Sequence, residues 1–341
     1  MLLNSLHVQG YRALRSLRLD QLGRVNLFVG RNNSGKSSLL EAVRIYAERG
    51  TPSVLWRILR DRDEVGPRTE TDLEQLMNGF GSLFHRRPGS MNPLTPISIG
   101  PVTDDRLTLR IALAWGSIAS EDTGIPLPVL DVALADKSEH YPLDEIERRA
   151  RLGSGRDMTM PVEYVPATGI SALHMARLWE SVALTAMEDT VTQALRFVSP
   201  DIERISVVGR RTMAKIAGHE RPVPLGSLGD GVNRVLGVAL SLANARNGMA
   251  VFDEIENGLH FTAQRHLWKV IFETAHLLNV QVFAVTHSWD CIEAFQSAAA
   301  EDPHEQALLV RLDRERNGEI RPTLISERDL SIVTRDHIEV R

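Results

Sequence analysis

Residues 30–38 constrain the fold of this chain more than any other stretch. They fit the phosphate-binding pattern G-x-x-x-x-G-K-[ST], with glycines at Gly30 and Gly35 followed by Lys36 and Ser37. A strand candidate precedes them at 24–29, and the apolar spacing of 37–43 predicts a helix directly after them. A glycine turn between strand and helix aims main-chain N–H groups and the positive end of the helix dipole at phosphate oxygens. We therefore predict a nucleoside triphosphate site.

The positions of this loop have separate expected roles. We expect Lys36 to be an exposed loop residue that reaches the β- and γ-phosphates, and the hydroxyl of Ser37 to bind Mg²⁺. The whole loop is predicted to contact the nucleotide: Gly30, Arg31, Asn32, Asn33, Ser34, Gly35, Lys36, Ser37 and Ser38.

Composition excludes several classes of protein. A length of 341 residues favours one large domain with a lobe, or two domains. The net charge of −5 provides no global positive field for nucleic acid, so any DNA contact would be local. The single cysteine, Cys291, excludes a disulfide framework and indicates a reducing compartment. Since we find neither a signal-peptide pattern nor an apolar run that could cross a bilayer, we expect a soluble cytoplasmic protein without membrane contacts.

Strands alternating with helices predict an α/β fold whose nucleotide domain is split along the chain. We expect residues 1–50 to form its first part, 200–341 its second part, and 51–199 an inserted helical and β lobe. The predicted strands are 2–8, 14–19, 24–29, 107–114, 129–134, 205–208, 213–217, 249–252, 280–285, 308–312 and 319–324. The predicted helices are 37–48, 54–59, 73–83, 172–198, 232–245 and 260–278.

Two carboxylates, Asp253 and Glu254, follow the apolar run at 249–252. The end of such a buried strand lies at the sheet edge beside the phosphate loop, where Mg²⁺ binds. Asp253 is therefore a candidate metal ligand, and Glu254 can hold and polarise a water molecule in line with the γ-phosphate. Glu256 is either a support for this site or merely exposed. An Asp-Glu pair alone is more often a solvated strand end, but the phosphate loop upstream favours the site.

A second turn rich in glycine and serine, at 225–231, precedes the helix predicted at 232–245. It is either a second phosphate site, with free N–H groups and the hydroxyl of Ser227, or an ordinary helix start capped by a Ser or Asp side chain. Because one nucleotide needs only one phosphate loop, the first alternative suggests a site completed across a dimer. His287 closes the strand at 280–285 and could contact the γ-phosphate or position water.

The order of these four features resembles the heads of ABC-type ATPases. The opening LHVQGYRALRSLRLDQLGRVNLFVGRNNSGKSSLLEAV is similar to SMC, RecF and OLD-type (overcoming lysogenization defect) ATPases. The stretches SLGDGVNRVLGVAL and VFDEIENGLHFTAQRHLWKVI are similar to the OLD-like branch, the AAA15 and AAA21 proteins. The resemblance covers roughly residues 1–48 and 200–312. It implies a P-loop NTPase fold of ABC-ATPase type with N-terminal antiparallel strands, and hydrolysis of ATP with Mg²⁺.

The resemblance also implies roles for individual residues. They are Lys36 for phosphate binding and catalysis, Ser37 and Asp253 for Mg²⁺, Glu254 as the catalytic carboxylate, Ser227 and Gly229 for the γ-phosphate bound by the other protomer, His287 as the switch histidine, and Arg12 as an N-terminal arginine that approaches the nucleotide. Residues 259–260 fall where the family has its dimer-contacting D-loop.

The chain departs from the family pattern at several positions. The second turn has Gly226 where transporter heads carry Leu, and Asp230 in place of Gln. Gln75, the candidate for the Q-loop glutamine, lies in a stretch predicted to be helical. No heptad arms of the SMC kind occur.

OLD nucleases add a metal-binding Toprim domain, but no carboxylate cluster after His287 looks like a nuclease metal site. About fifty residues follow His287, and Asp302 and Glu305 beside His304 are more simply a polar loop. We therefore expect no nuclease activity in this chain.

Together these expectations describe an ATPase that dimerises head to tail around two ATP·Mg²⁺ and gates a partner effector, such as a nuclease or toxin, in bacterial anti-phage defence. One alternative is a RecF-like repair ATPase that binds DNA directly. Basic pairs at 86–87, 148–149 and 210–211 form no stripe, so direct nucleic-acid binding is expected to be weak at most. A second alternative, a nucleotide-dependent scaffold with little turnover, is disfavoured by Glu254.

Overall fold

The strands form two six-stranded sheets and one three-stranded sheet in the part of the chain that the structure describes. In this computed structural model, those residues are 2–66, 73–85, 94–119, 126–152, 160–208, 211–302, 304 and 307–325. The strands are β1 (Leu6–Tyr11), β2 (Leu14–Leu19), β3 (Val25–Val29), β4 (Ile97–Gly100), β5 (Leu109–Ala119), β6 (Pro126–Leu134), β7 (Lys137–Pro142), β8 (Val162–Val165), β9 (Ile202–Val208), β10 (Arg211–Ile216), β11 (Val223–Pro224), β12 (Met249–Phe252), β13 (Gln281–Val285), β14 (Ala307–Arg314) and β15 (Ile320–Ile325). The helices are α1 (Lys36–Ala47), α2 (Pro52–Asp61), α3 (Leu73–Gly81), α4 (Leu143–Leu152), α5 (Ala172–Glu180), α6 (Ala186–Arg196), α7 (Asp230–Asn244), α8 (Phe261–Leu277) and α9 (Trp289–Ala299).

The central sheet has the order β15-β14-β3-β13-β12-β8. Its neighbours are parallel except for the antiparallel pair β14–β15. Every residue of β3, β12 and β13 is buried, because both faces of the sheet are covered. Near-continuous apolar runs are typical of such strands. The predicted α/β class is confirmed.

Alternate residues of β3 enter two different hydrophobic cores, as the two-residue period of a strand requires. Val25, Leu27 and Val29 pack in the core built with α5 to α9. Phe28 lies in the opposite core, with α1 to α4 and the antiparallel sheet, where its ring stacks 6.3 Å from the ring of Phe283. The sheet is thus held between two packed layers, which fixes its carboxyl-terminal edge in space.

The second sheet has the order β2-β1-β4-β5-β6-β7, with antiparallel neighbours. The predicted inserted lobe does not form sheets of its own. Strands β4 to β7 continue the sheet begun by β1, and β8 pairs with β12 in the central sheet. This stretch therefore supplies strands to both six-stranded sheets. The division of the chain at residues 50 and 199 stays a prediction.

The single long helix predicted at 172–198 is wrong, because the chain makes two helices there. Between α5 and α6, Leu184 has a φ of +62° and is 89% exposed. The side chain of Thr185 accepts a hydrogen bond from the N–H of Met187, and Glu188 accepts one from the N–H of Leu184. Thr185 and Glu188 form the T-x-x-E spacing of a capping box, so a new helix start was present in the sequence.

Candidate nucleotide site

The phosphate loop runs from the end of β3 to the first residue of α1, as predicted. Its backbone turns through positive φ angles at Gly30 (+142°), Asn33 (+64°) and Gly35 (+90°). A Cβ atom on Gly30 would lie 2.3 Å from the carbonyl oxygen of Leu312 in β14, so that glycine is required. The buried hydroxyl of Ser34 has no hydrogen-bond partner among the described residues. A bound anion such as phosphate would supply the partner that this hydroxyl lacks.

Lys36 is buried rather than exposed, which corrects the expectation from the sequence. It is 5% exposed, and its Nζ donates hydrogen bonds to the carbonyl oxygens of Gly30 at 2.6 Å and Arg31 at 2.8 Å. Burial lowers the pKa of Lys36 to about 8, although the charges of Asp253 and Glu254 act in the opposite direction. The side chain therefore both shapes the loop and places a positive charge inside it.

Asp253 and Glu254 follow β12, and His287 follows the neighbouring β13. The Nε2 atom of His287 lies 3.9 Å from Oε1 of Glu254. Burial is the main cause that raises the pKa of Asp253, and the charge of Glu254 adds to it. The charges of both carboxylates act on the pKa of Lys36, so this lysine lies near them. The structure thus brings the loop lysine, the two carboxylates and the histidine to one edge of the central sheet.

The oxygen atoms at this edge of the sheet are suitable ligands for Mg²⁺. Ser37 is exposed in the first turn of α1, and the carboxyl of Asp253 is disfavoured as an anion by burial and by its neighbour. A divalent cation would relieve that repulsion, and hydroxyl and carboxylate oxygens are ligands that Mg²⁺ accepts alongside phosphate oxygens. Ser37 and Asp253 are thus the residues that would hold the ion.

Glu254 has an unusual backbone conformation, with a φ of +45°. Its Oε2 accepts a hydrogen bond of 2.6 Å from Nδ2 of Asn257. The next N–H, that of Ile255, donates to the carbonyl oxygen of Val285 at the end of β13. The turn after β12 is therefore fixed to the neighbouring strand, and the side chain of Glu254 is partly exposed.

The second turn, at 225–231, is a 3₁₀ turn (Leu225–Leu228) followed by α7. Gly229, with a φ of +102°, is the N-cap, and no side chain caps this helix start. The second alternative for this turn, a helix start capped by a Ser or Asp side chain, is therefore wrong. The Ser227 hydroxyl donates instead to the carbonyl oxygen of Pro224 at 2.7 Å, and both Ser227 and Gly229 are exposed.

Arg12 has partners other than the phosphate loop. Its guanidinium donates two hydrogen bonds of 2.7 Å to Glu64 and lies 2.9 Å from a carboxylate oxygen of Glu41, which also accepts from the hydroxyl of Tyr11. Burial opposes the charge of Arg12, but its carboxylate partners raise its pKa. In this structure the predicted nucleotide-approaching arginine is held in a carboxylate cluster between β1, α1 and the loop after α2.

Two residues of the site escaped sequence analysis in whole or in part. Arg234 in α7 donates four hydrogen bonds to main-chain carbonyl oxygens, two of them those of Asp253 and Glu254. The only feature of the sequence that could have indicated this residue is its single positive charge within the apolar run of that helix. Glu256, left open above, accepts a hydrogen bond of 3.1 Å from the main-chain N–H of His287. It therefore supports the site.

The remaining candidates lie away from this edge or outside the described residues. Gln75 is exposed on α3, and the ring of His304 stacks 3.5 Å from that of His276. Both Arg148 and Arg149 pair with Glu145 on the surface of α4. Residues 86, 87, 210 and 305 lie outside the described residues.

Neither a cluster of metal ligands nor a membrane-spanning helix occurs in the described ranges. No three His, Cys, Asp or Glu side chains come together there as a metal site. No helix that the structure describes is long and apolar enough to span a membrane.

Two family models match separate parts of this chain. Residues 1–64 match the family described as "AAA ATPase domain", and residues 186–290 match "AAA domain, putative AbiEii toxin, Type IV TA system". An "ATP/GTP phosphatase" of Helicobacter pylori is 22% identical over 342 aligned residues, which cover 88% of this chain and 89% of that protein. The DNA replication and repair protein RecF of Thioalkalivibrio sulfidiphilus is 49% identical over 45 residues, 13% of this chain and 12% of RecF.

Solved structures share the fold. An Smc head bound to the C-terminal winged-helix domain of ScpA has a TM-score of 0.54 and 13% identity, covering 95% of this chain and 98% of that one. The Smc head with an extended coiled coil bound to the C-terminal domain of ScpA, from Pyrococcus furiosus, has a TM-score of 0.52 and 11% identity, covering 98% and 99%. The chain is thus a P-loop NTPase with the ABC-type head fold. It is an ATPase, and parts of its sequence are similar to AAA ATPase domains and to RecF.

Proposed function

We propose that two copies of this chain dimerise head to tail around two ATP·Mg²⁺, and that hydrolysis controls a partner effector. Each nucleotide would bind to the phosphate loop of one copy and to the exposed turn with Ser227 and Gly229 of the other. The exposed turn carries the proposal. It has the composition of a phosphate site, yet no hydrogen bond in the described residues joins it to residues 30–38. In the dimer, this turn contacts the nucleotide that is bound to the phosphate loop of the second copy.

Within each site, the residues have distinct tasks. Lys36 and the loop N–H groups bind the β- and γ-phosphates, and Mg²⁺ bound by Ser37 and Asp253 would neutralise phosphate charge. Glu254 accepts a proton from the attacking water, and His287, 3.9 Å away, keeps the carboxylate oriented toward the γ-phosphate side. The contact of His287 with Glu254 supports these two roles. It disfavours the alternative of a nucleotide-dependent scaffold that hydrolyses little ATP.

The biological role is proposed from resemblance. We infer an OLD-like ATPase of the bacterial cytoplasm that gates a nuclease or toxin in anti-phage defence. The match of residues 186–290 to a family described as a putative toxin of a type IV toxin–antitoxin system supports a toxin–antitoxin context for this role. The SMC heads of similar fold were solved with ScpA, which supports a protein partner on the head.

A second candidate is a RecF-like role with direct DNA binding. The 49% identity to RecF over 45 residues favours it. Against it, both arginines of the described basic pair at 148–149 are ion-paired with Glu145, and the net charge is −5. Defence through a protein partner therefore remains the preferred role.

A mixing experiment tests the dimer. Ser227→Arg removes the exposed turn as a phosphate contact, and Lys36→Ala removes the loop charge, so each protein alone should hydrolyse ATP poorly. A mixed dimer has one site with both parts intact, and titrating one variant against the other should restore partial ATPase activity.

Ser206→Arg is the matched control, since Ser206 is also exposed but lies on β9. It should leave activity unchanged. The mass in solution, with and without ATP, is measured in parallel. Absence of recovery at every ratio, with a wild-type rate first order in protein concentration, would mean that one chain completes its own site.

A further inference from the structure

Arg234 is a buried cation in the apolar face of α7. It is 6% exposed and lies one turn after Asp230, where the helix begins. Its neighbours Val235 and Leu236 belong to the core. Burying a guanidinium in such a place is unfavourable unless its donors are satisfied.

The guanidinium is satisfied by main-chain carbonyl oxygens. It donates to Pro166 at 2.8 Å, to Ile255 at 3.3 Å, and to both Asp253 and Glu254 at 2.7 Å. These carbonyls belong to the loop after β8 and the turn after β12. In the described residues, the hydrogen bonds of Arg234 all end on main-chain oxygens, so the carboxylate groups of this turn stay available for other partners.

The turn that Arg234 holds contains the proposed catalytic carboxylate in a conformation that needs support. A residue other than glycine at a φ of +45°, as in Glu254, persists only where its surroundings hold it. Arg234 binds the carbonyls of Asp253 and Glu254, which belong to the two peptide planes that flank the Cα of Glu254. Its planar fork of five donors sets the directions of these carbonyls.

We infer that Arg234 is a positioning residue that holds the Asp253–Ile255 turn in the geometry presenting both carboxylates to the nucleotide. This inference rests on the proposed role of Glu254. Because α7 starts at the exposed turn with Ser227 and Gly229, Arg234 also joins the part of the chain that would serve the partner's nucleotide to the part that serves its own.

The test separates catalysis from binding. Arg234→Lys keeps the charge but places its donors on one atom, which cannot reach four carbonyls in different directions. We expect kcat to fall by about 10- to 100-fold, the effect of misplacing a catalytic group by about 1 Å. The directly measured Kd for ATP should change less than about threefold, because the phosphate loop does not contact Arg234.

Chemical rescue distinguishes positioning from stability. Arg234 lines a cavity of about 550 Å³ together with Asp230, Asn233 and Gly258, through which a small cation can enter. In Arg234→Ala, guanidinium chloride at low millimolar concentration should raise kcat several-fold, whereas ammonium chloride should not. Asn244→Ala is the control. Asn244 binds the carbonyls of Leu178 and Leu240 at the far end of the same helix, so its loss should lower the melting temperature but not kcat.

Several results would overturn the inference. A folded Arg234→Lys protein with wild-type kcat would do so, and so would an Arg234→Ala protein whose rate is unaffected by guanidinium. If Arg234→Ala does not fold, the kcat of Arg234→Lys alone tests the inference. If Glu254→Gln hydrolyses ATP at the wild-type rate while Arg234→Lys does not, the role of Glu254 fails and the positioning acts on Asp253.

Discussion

The buried ammonium of Lys36 predicts that ATP affinity falls as pH rises above 8. In the nucleotide-free protein, burial has lowered the pKa of this group to about 8, so it is largely charged at pH 7.5 and largely neutral at pH 9.5. The phosphates of ATP favour the ammonium, which must therefore take up a proton on binding at high pH. If ATP binds only the charged form, the apparent Kd rises about 25-fold between pH 7.5 and pH 9.5.

Equilibrium titration with ATP·Mg²⁺ across this pH range measures the effect, and calorimetry in buffers of different ionisation enthalpy counts the proton. Lys36→Arg is the matched control, because a guanidinium stays charged throughout and its pH slope should vanish whatever its affinity. A wild-type Kd that stays constant from pH 7.5 to 9.5, with no proton uptake, would refute the argument that burial of Lys36 in the loop controls its charge.

Two further predictions concern hydrolysis and DNA. Glu254→Gln keeps the shape of the side chain but removes the acceptor charge, so kcat should fall roughly 100-fold while ATP still binds and ATP-bound dimers accumulate; an undiminished rate would shift the role to Glu256. Direct DNA binding should be weak and sequence-independent, and should vanish at physiological salt, since the net charge is −5. Tight binding that persists in salt titrations would favour the RecF-like role.

The parts of the site that follow from the sequence are those fixed by spacing. A strand followed by Gly-x-x-x-x-Gly-Lys-Ser has few ways to fold, and residues at the ends of parallel strands converge on one edge. Asp253, Glu254 and His287 were therefore predicted close to the phosphate loop, and the structure brings them together.

What escaped prediction depends on contacts that leave little pattern in a sequence. Arg234 binds main-chain carbonyls, which every residue carries, so its acceptors are invisible in the residue types. The burial of Lys36 depends on how the loop closes over its own side chain. Arg12 is drawn to Glu64, a partner far along the chain that only the tertiary fold places beside it.

The position of β3 also determines when the protein can begin to work during its synthesis. β3 is made well before its two neighbours in the sheet, β13 and β14, which start at Gln281 and Ala307. At about 5–20 residues per second, a nascent chain waits on the order of tens of seconds for them. Throughout that interval an apolar strand has neither edge paired and can associate with other chains. The phosphate loop is therefore translated before β13 and β14, and it becomes a binding site only when they have been made.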